Sequence, residues 1–450
     1  MHLFKKISVL TVITCICIGI AGCGKAVSKN TVGSITDWDT PQFYKTPSVA
    51  EAENGSYYYI ANYPMSMEKI RLLYYYDNNN NISYPLCSNT SCDHSNTSCD
   101  AYMSDDECID NMIWYYKDRI YMIEQTSEYD NLVSYDKRGR DKKVENQLSV
   151  NGLSVGSSSV MPRFCVNNGK LFYTIAGQDM IGIYKCSLDK KEEPVLIIQY
   201  SFENEHNQIV SLCSRQGKVY INRKVEVNSD SVRYCIDSVN IQDNKVDELI
   251  SFDNNLDGVR GDISDWNRDI CYDDEDNFYF TSIYDDEFIV NKLNIKSSEV
   301  SEFYVLEGKG NTEKNRADTD YCELAGFNGK NIILYQGVNI SVKEKGNNYI
   351  YMLGKDGNLT DTIELARNND KSIASYYIAM DYLGVINNKL IITTSRFDID
   401  NAQITDEWYT KYNELITADR KKQLRICMIL MCDLEQDNKS WRNITYNMFK

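Results

Sequence analysis

The chain has 450 residues, of which 42% are apolar and 25% charged, with 34 Tyr, only 6 Pro and a formal net charge of −17. That composition is globular and excludes a disordered chain, and an acidic surface excludes nucleic acid and anionic membrane as electrostatic partners. Length alone allows several domains, but all-β barrels and propellers often exceed the usual size of one domain.

From the N-terminus, Lys5 and Lys6 precede a largely apolar 14-residue run, Ile7 to Ile20, that ends in Ile20-Ala21-Gly22-Cys23. A helix of that length is too short for the ~30 Å hydrocarbon core, so residues 1–22 are expected to be a removed export signal. Small residues before a cysteine at the end of an apolar run resemble a bacterial lipobox. The resemblance implies that Cys23 is thioether-lipidated, begins the mature chain and carries acyl chains such as palmitate. Residues 23–34 are small, polar and aperiodic, as befits a flexible tether. No second apolar run of 18 residues follows, so the lipid is the expected membrane attachment, on the extracytoplasmic face of the cell membrane.

Residues 35–450 are organised by a recurring phrase, clearest at Asn167-Asn168-Gly169-Lys170-Leu171-Phe172-Tyr173-Thr174. A polar, Gly-containing turn runs straight into an apolar and aromatic stretch, the mark of a tight hairpin. Looser copies turn at residues 55, 118, 217, 276, 329 and 388, and neighbouring turns lie 48 to 63 residues apart. Each is followed by further strand-like runs, such as Ile183 to Leu188, Ser238 to Gln242 and Tyr349 to Leu353. About four short strands repeated every fifty residues predict an all-β fold, a β-propeller of four-stranded blades, and seven copies predict seven blades. The phrase resembles the loosely defined propellers of the TolB and dipeptidyl-peptidase N-terminal kind over most of residues 50–447.

Two segments break the rhythm. Residues 402–424 place Ile404, Trp408, Tyr412, Leu415 and Ile416 at helical spacing, which predicts a short helical insertion in the last blade. The other, residues 85–108, contains Cys87, Cys92, His94 and Cys99 in the pattern C-x4-C-x-H-x4-C, with Cys108 close behind. Three thiolates and an imidazole suit a tetrahedral zinc site. Clustered cysteines outside the cytoplasm equally suit disulfides, with three possible connectivities among four, or free thiols with a redox role. The segment resembles a Cys-rich patch near the N-terminus of uncharacterised clostridial-type surface lipoproteins with propellers, which carries no known activity. Eight further cysteines, Cys165, Cys186, Cys213, Cys235, Cys271, Cys322, Cys427 and Cys432, mostly lie in apolar runs, where a free thiol packs as a small hydrophobe.

Other chemistry is sparse. Gly152-Leu153-Ser154-Val155-Gly156 spells a nucleophile elbow, but loop-like residues follow where that motif needs a helix, so a solvated loop is expected. Asp253, Asn255 and Asp257 before Gly258 match the first half of a calcium loop; Ser264 stands where the bidentate Glu belongs, and a polar loop between blades is the alternative. Asp273 to Asp276 read as a solvated hairpin turn. The expected role is a lipid-anchored binding module for a peptide, glycan or partner protein, with no catalytic residue assigned. An extracellular glycan lyase or hydrolase, or metal handling by the Cys-rich loop with zinc or calcium as the ion, are the alternatives, because the fold hosts many functions.

Overall fold

A computed structural model describes residues 49–62, 70–94, 96–103, 112–125, 129–155, 163–202, 206–215, 218–228, 231–253, 256–263, 270–308, 321–337, 348–365, 377–386, 388–396, 426–435 and 441–444. The export signal, Cys23 and its tether, Cys108 and the helix expected at 402–424 lie outside these residues.

The protein is an all-β propeller of four-stranded antiparallel blades. Strands fall into seven sheets among the described residues, spanning 49–85, 114–147, 164–201, 206–253, 262–306, 321–365 and 377–443, here numbered first to seventh. Every sheet is a meander whose strands pair in chain order, except that Asp262–Ile263 and Ile270–Tyr272 share one edge of Asn277–Tyr284 in the fifth. The turns at 55, 118, 169, 217, 276, 329 and 388 join the first and second strands of the seven sheets. In the third sheet Asn168 and Gly169 both have positive φ, 45° and 72°, the backbone of a two-residue hairpin whose twist matches its strands. A Cβ at Gly169 would also lie 2.6 Å from the Tyr116 hydroxyl, so conformation and neighbour both require glycine there.

Each sheet buries both faces. Leu171 and Tyr173 pack with Trp114, Leu132 and Phe164 toward the second sheet, whereas Phe172 between them packs with Leu212 and Ile221 toward the fourth. That is why the strands read as continuous apolar runs and not as an apolar and polar alternation. Similar clusters join the first sheet to the second, the fourth to the fifth, the fifth to the sixth and the sixth to the seventh. A further one sets Tyr58, Leu72 and Tyr74 of the first sheet against Ile391, Ile429 and Met431 of the seventh. First strands are deeply buried and fourth strands exposed, as in Phe164–Asn167 against Val195–Ser201.

The abundant tyrosines suit these wedge-shaped interfaces, because an apolar ring fills the wedge and its hydroxyl reaches a polar partner beyond. Tyr57 donates to the Lys137 carbonyl at 3.0 Å, Tyr58 to Ile444 at 2.9 Å and Tyr173 to Leu148 at 3.0 Å. Tyr200 donates to Asp237 at 2.6 Å and Tyr272 to Asn222 at 2.7 Å. Each bond crosses from one sheet to its neighbour or to the residues just beyond it.

The meeting of the first and seventh sheets is a seam made by side chains. Among the described residues both sheets are built wholly from consecutive chain, so no described strand is shared between them. Besides the apolar cluster, Tyr58 and Ser83 both donate to the Ile444 carbonyl. Lys389 pairs with Glu51 at 2.9 Å, and Arg442 donates to the Asn81 side chain at 2.9 Å.

Candidate functional site

Meander topology sends the connections to two opposite faces. One face carries every first-to-second and third-to-fourth strand turn, each of two to seven residues. The other carries the second-to-third turns and the sheet-to-sheet connections, including 86–113, 148–163, 307–320 and 397–425. Long connections with few structural duties are where binding residues concentrate. The Cys-rich segment belongs to this second face.

That segment leaves and re-enters the first sheet at one residue. The amide of Leu86 donates to the Leu73 carbonyl at 2.9 Å, and the Leu73 amide donates to Ala101 at 2.9 Å. Met103 then donates to Arg71 at 2.8 Å, and Tyr102 bridges Leu72. Strand Ile70–Asp77 therefore pairs with Ile82–Pro85 along one half of an edge and with 101–103 along the other. The excursion between holds a repeat that the reading of residue spacing missed: Ser-Asn-Thr-Ser-Cys-Asp occurs at 88–93 and again at 95–100. The two copies fold alike at the residues described in both, 89–93 and 96–100. Asn89 accepts from the amide and hydroxyl of Ser91, and Asn96 accepts from those of Ser98. The amides of Cys92 and Cys99 donate to the carbonyls of Asn89 and Asn96 at 3.1 and 3.3 Å. The same Asx turn thus delivers two cysteines.

Between the copies stands His94, with φ 59°. Its Nδ1 lies 3.3 Å from Cys99 Sγ, and its amide donates to Cys92 Sγ at 3.4 Å. One ligand atom from each of Cys87, Cys92, His94 and Cys99 lies within 4.8 Å of the others. A tetrahedral zinc ion with Zn–S bonds of about 2.3 Å sets its ligand atoms about 3.5–4 Å apart, so the cluster matches that size. Burial pushes the Cys99 thiol up to about 12. Burial also opposes the Cys87 thiolate, but backbone hydrogen bonds at Asn89 and Asp100 and the neighbouring thiols outweigh it and hold that thiol below its ordinary value. Asp100 is engaged with the amide and hydroxyl of Ser88, closing the loop across the cluster.

The remaining sites are placed as follows. Of the further cysteines, Cys165, Cys186, Cys213, Cys235, Cys271, Cys322 and Cys432 are buried, and Cys427 lies outside the residues whose side chains are described. Asp253 and Asp257 are exposed and Asn255 lies outside the described residues; beside them Leu256 and Val259 pack into the core between the fourth and fifth sheets. Ser154 is no solvated nucleophile: its hydroxyl donates to the buried Asp130 at 2.7 Å, and the Val155 amide donates to the same oxygen at 2.5 Å. Asp273, expected on a solvated turn, is fully buried. It accepts from the amides of Glu275 and Asn277, the Asn277 side chain and the Tyr279 hydroxyl. The chain returns over this carboxylate to close the hairpin, and residue spacing does not show which acid of an acidic run turns inward.

No protein-family model matches the chain, and no curated protein sequence matches it. Solved structures similar to it include prolyl oligopeptidase B from Galerina marginata, at 8% identity and TM-score 0.45 over 87% of this chain and 50% of that one. The propeller domain of the Trilobed protease from Pyrococcus furiosus matches at 10% identity and TM-score 0.42, over 90% and 99%. An oligogalacturonate lyase in complex with manganese matches at 8% identity and TM-score 0.39, over 79% and 94%. The chain spans about half the length of the prolyl oligopeptidase. These are likenesses to propeller domains and carry nothing about what this chain binds or does.

Proposed function

We propose that the chain is a lipid-anchored, extracytoplasmic propeller of seven blades, a surface lipoprotein of the clostridial type, that binds a peptide, glycan or partner protein through the face of long connections. The observation that carries this reading is the inequality of the two faces. One is trimmed to turns of two to seven residues, while the other holds connections of up to 29. Long loops on a rigid scaffold are the usual seat of recognition. The succession of core clusters around the sheets, with the seventh packed back on the first, supports a closed ring of seven. The run Ile20-Ala21-Gly22-Cys23 after an apolar segment supports the lipid anchor.

The rival reading, a glycan lyase or hydrolase, needs a pair of carboxylates free to work together. Of the described carboxylates, the buried Asp237 and Asp273 are taken up by hydrogen bonds within the fold, and Asp130 accepts through its Oδ2 from Ser154 and the Val155 amide. The experiment is site-directed photo-cross-linking on intact cells, with the probe at the exposed Tyr129 or Tyr284 on the long-connection face and at Asn79 or Lys296 on the opposite face. Adducts confined to the first pair are expected. Adducts confined to the second pair, or equal from both, would overturn the assignment.

A further inference from the structure

We propose that Cys87, Cys92, His94 and Cys99 hold one zinc ion in a closed tetrahedral site, and that this ion clasps the seam where the first sheet meets the seventh.

Three features carry the site. The donor set is three sulfurs and one imidazole nitrogen, the set preferred by a borderline-soft divalent cation. Its atoms already lie within 4.8 Å of one another. The duplicated Asx turn sets Cys92 and Cys99 from one template, with His94 in a left-handed backbone conformation between them. The loop offers little else to hold it folded. Apart from its cysteines, residues 87–100 are Ser, Asn, Thr, Asp and His, so its interior has no apolar side chain to bury. A small loop with no core of its own is the setting in which a metal supplies folding energy. With four protein ligands no position stays open for substrate, so the ion is structural and not catalytic.

The clasp follows from where the loop rests. Cys99 and Ala101 belong to the same buried cluster as Ile391, Ile429 and Met431 of the seventh sheet and Ile444 just after it. Cys87, Cys92 and Tyr102 pack against that cluster from the loop side. The first sheet holds the loop at both ends through Leu73. Metal binding therefore fixes a surface on which the last sheet closes, at the boundary that no described strand spans. The inference does not depend on which ligand the long-connection face takes.

The test uses the detergent-solubilised full chain. Elemental analysis should return one zinc per chain. Cobalt exchanged for zinc should give the intense visible bands of a tetrahedral ion with thiolate charge transfer, and both signals should be lost in Cys87→Ser. On chelation of the wild type, amide exchange should quicken by about tenfold or more in Gly55–Asn62 and Ile426–Asp433, and stay unchanged in Lys218–Asn228 of the fourth sheet. The chelation arm needs no variant, so misfolding of Cys87→Ser leaves the test intact. Absence of metal together with a disulfide among Cys87, Cys92 and Cys99 would overturn the site. Stoichiometric zinc whose removal affects all three strands equally, or none, would overturn the clasp.

Discussion

Asp273 gives the sharpest test of how the propeller holds its turns. Its carboxylate is wholly buried and serves four donors: the amides of Glu275 and Asn277 at 2.7 and 3.1 Å, Asn277 Nδ2 at 2.7 Å and the Tyr279 hydroxyl at 2.9 Å. Hydrogen bonds to an ionised group contribute about 1.5–3 kcal/mol each, and a stranded buried donor costs about 1–3 kcal/mol. The Glu275 amide, being only partly buried, regains water, and the losses overlap, so Asp273→Ala should cost about 3–5 kcal/mol. Burial opposes ionisation of Asp273, but the donors from Asn277, Glu275 and Tyr279 outweigh it and depress its pKa. A carboxyl that titrates lower when folded than when unfolded stabilises the fold fully above the unfolded value, about 4. That contribution is lost as pH falls through the folded value. Urea unfolding of wild type, Asp273→Ala and Asp273→Asn between about pH 7 and 3 would measure it, with two coincident probes licensing a free energy. Asp273→Asn should be less stable at neutral pH and show a flatter acid limb than wild type. A cost below about 1 kcal/mol for Asp273→Ala, or an acid limb parallel to wild type for Asp273→Asn, would refute the assigned role.

Arg223 is buried, donates to Asp237 from Nε at 2.7 Å and from Nη2 at 3.2 Å, and lies 4.3 Å from the Tyr200 ring centroid of the neighbouring sheet. Arg223→Ala should cost about 3–5 kcal/mol by leaving Asp237 buried and uncompensated, and Arg223→Lys should recover only part of it because the fork is lost; equal melting of Arg223→Lys and wild type would contradict this. Gly169→Ala should destabilise by about 1–2 kcal/mol through its positive φ, plus the contact with Tyr116. Tyr116→Phe in the same chain should restore part of that loss, and additive effects would show that the hydroxyl contact is irrelevant. Cys23→Ala should abolish palmitate labelling and release the chain from membranes, and continued membrane retention would remove the lipid-anchor reading.

Much of the scaffold is legible in the sequence because its repeating unit is local. Asn168-Gly169 marks a hairpin by its left-handed backbone alone, and the second sheet turns the same way at Lys117 and Asp118. Even Lys117 and Asp118, which carry positive φ without glycine, are recognisable from the apolar run that follows them. Cys87, Cys92, His94 and Cys99 are legible as a cluster because their short spacing keeps them together in the fold. Its surroundings are less so: Cys99 and Ala101 share a buried cluster with Ile429 and Ile444, more than three hundred positions away, and nothing in either segment advertises the other. The inward turn of Asp273 and the capture of Ser154 by Asp130 likewise depend on chain that passes overhead. Polar residues that are buried by a neighbouring strand look, in sequence, the same as solvated ones.

The tyrosine hydroxyls that cross between sheets also govern how the molecule responds to force. Two apolar faces resist separation but slide past one another with little change in buried area. A ring tipped by a hydroxyl, as in Tyr58 reaching Ile444 or Tyr272 reaching Asn222, acts as a lever pinned at its far end, so a small shear stretches a directional bond. Sectors pinned in this way rotate against each other stiffly. Under load, twist is then passed from sector to sector and is not absorbed at one interface.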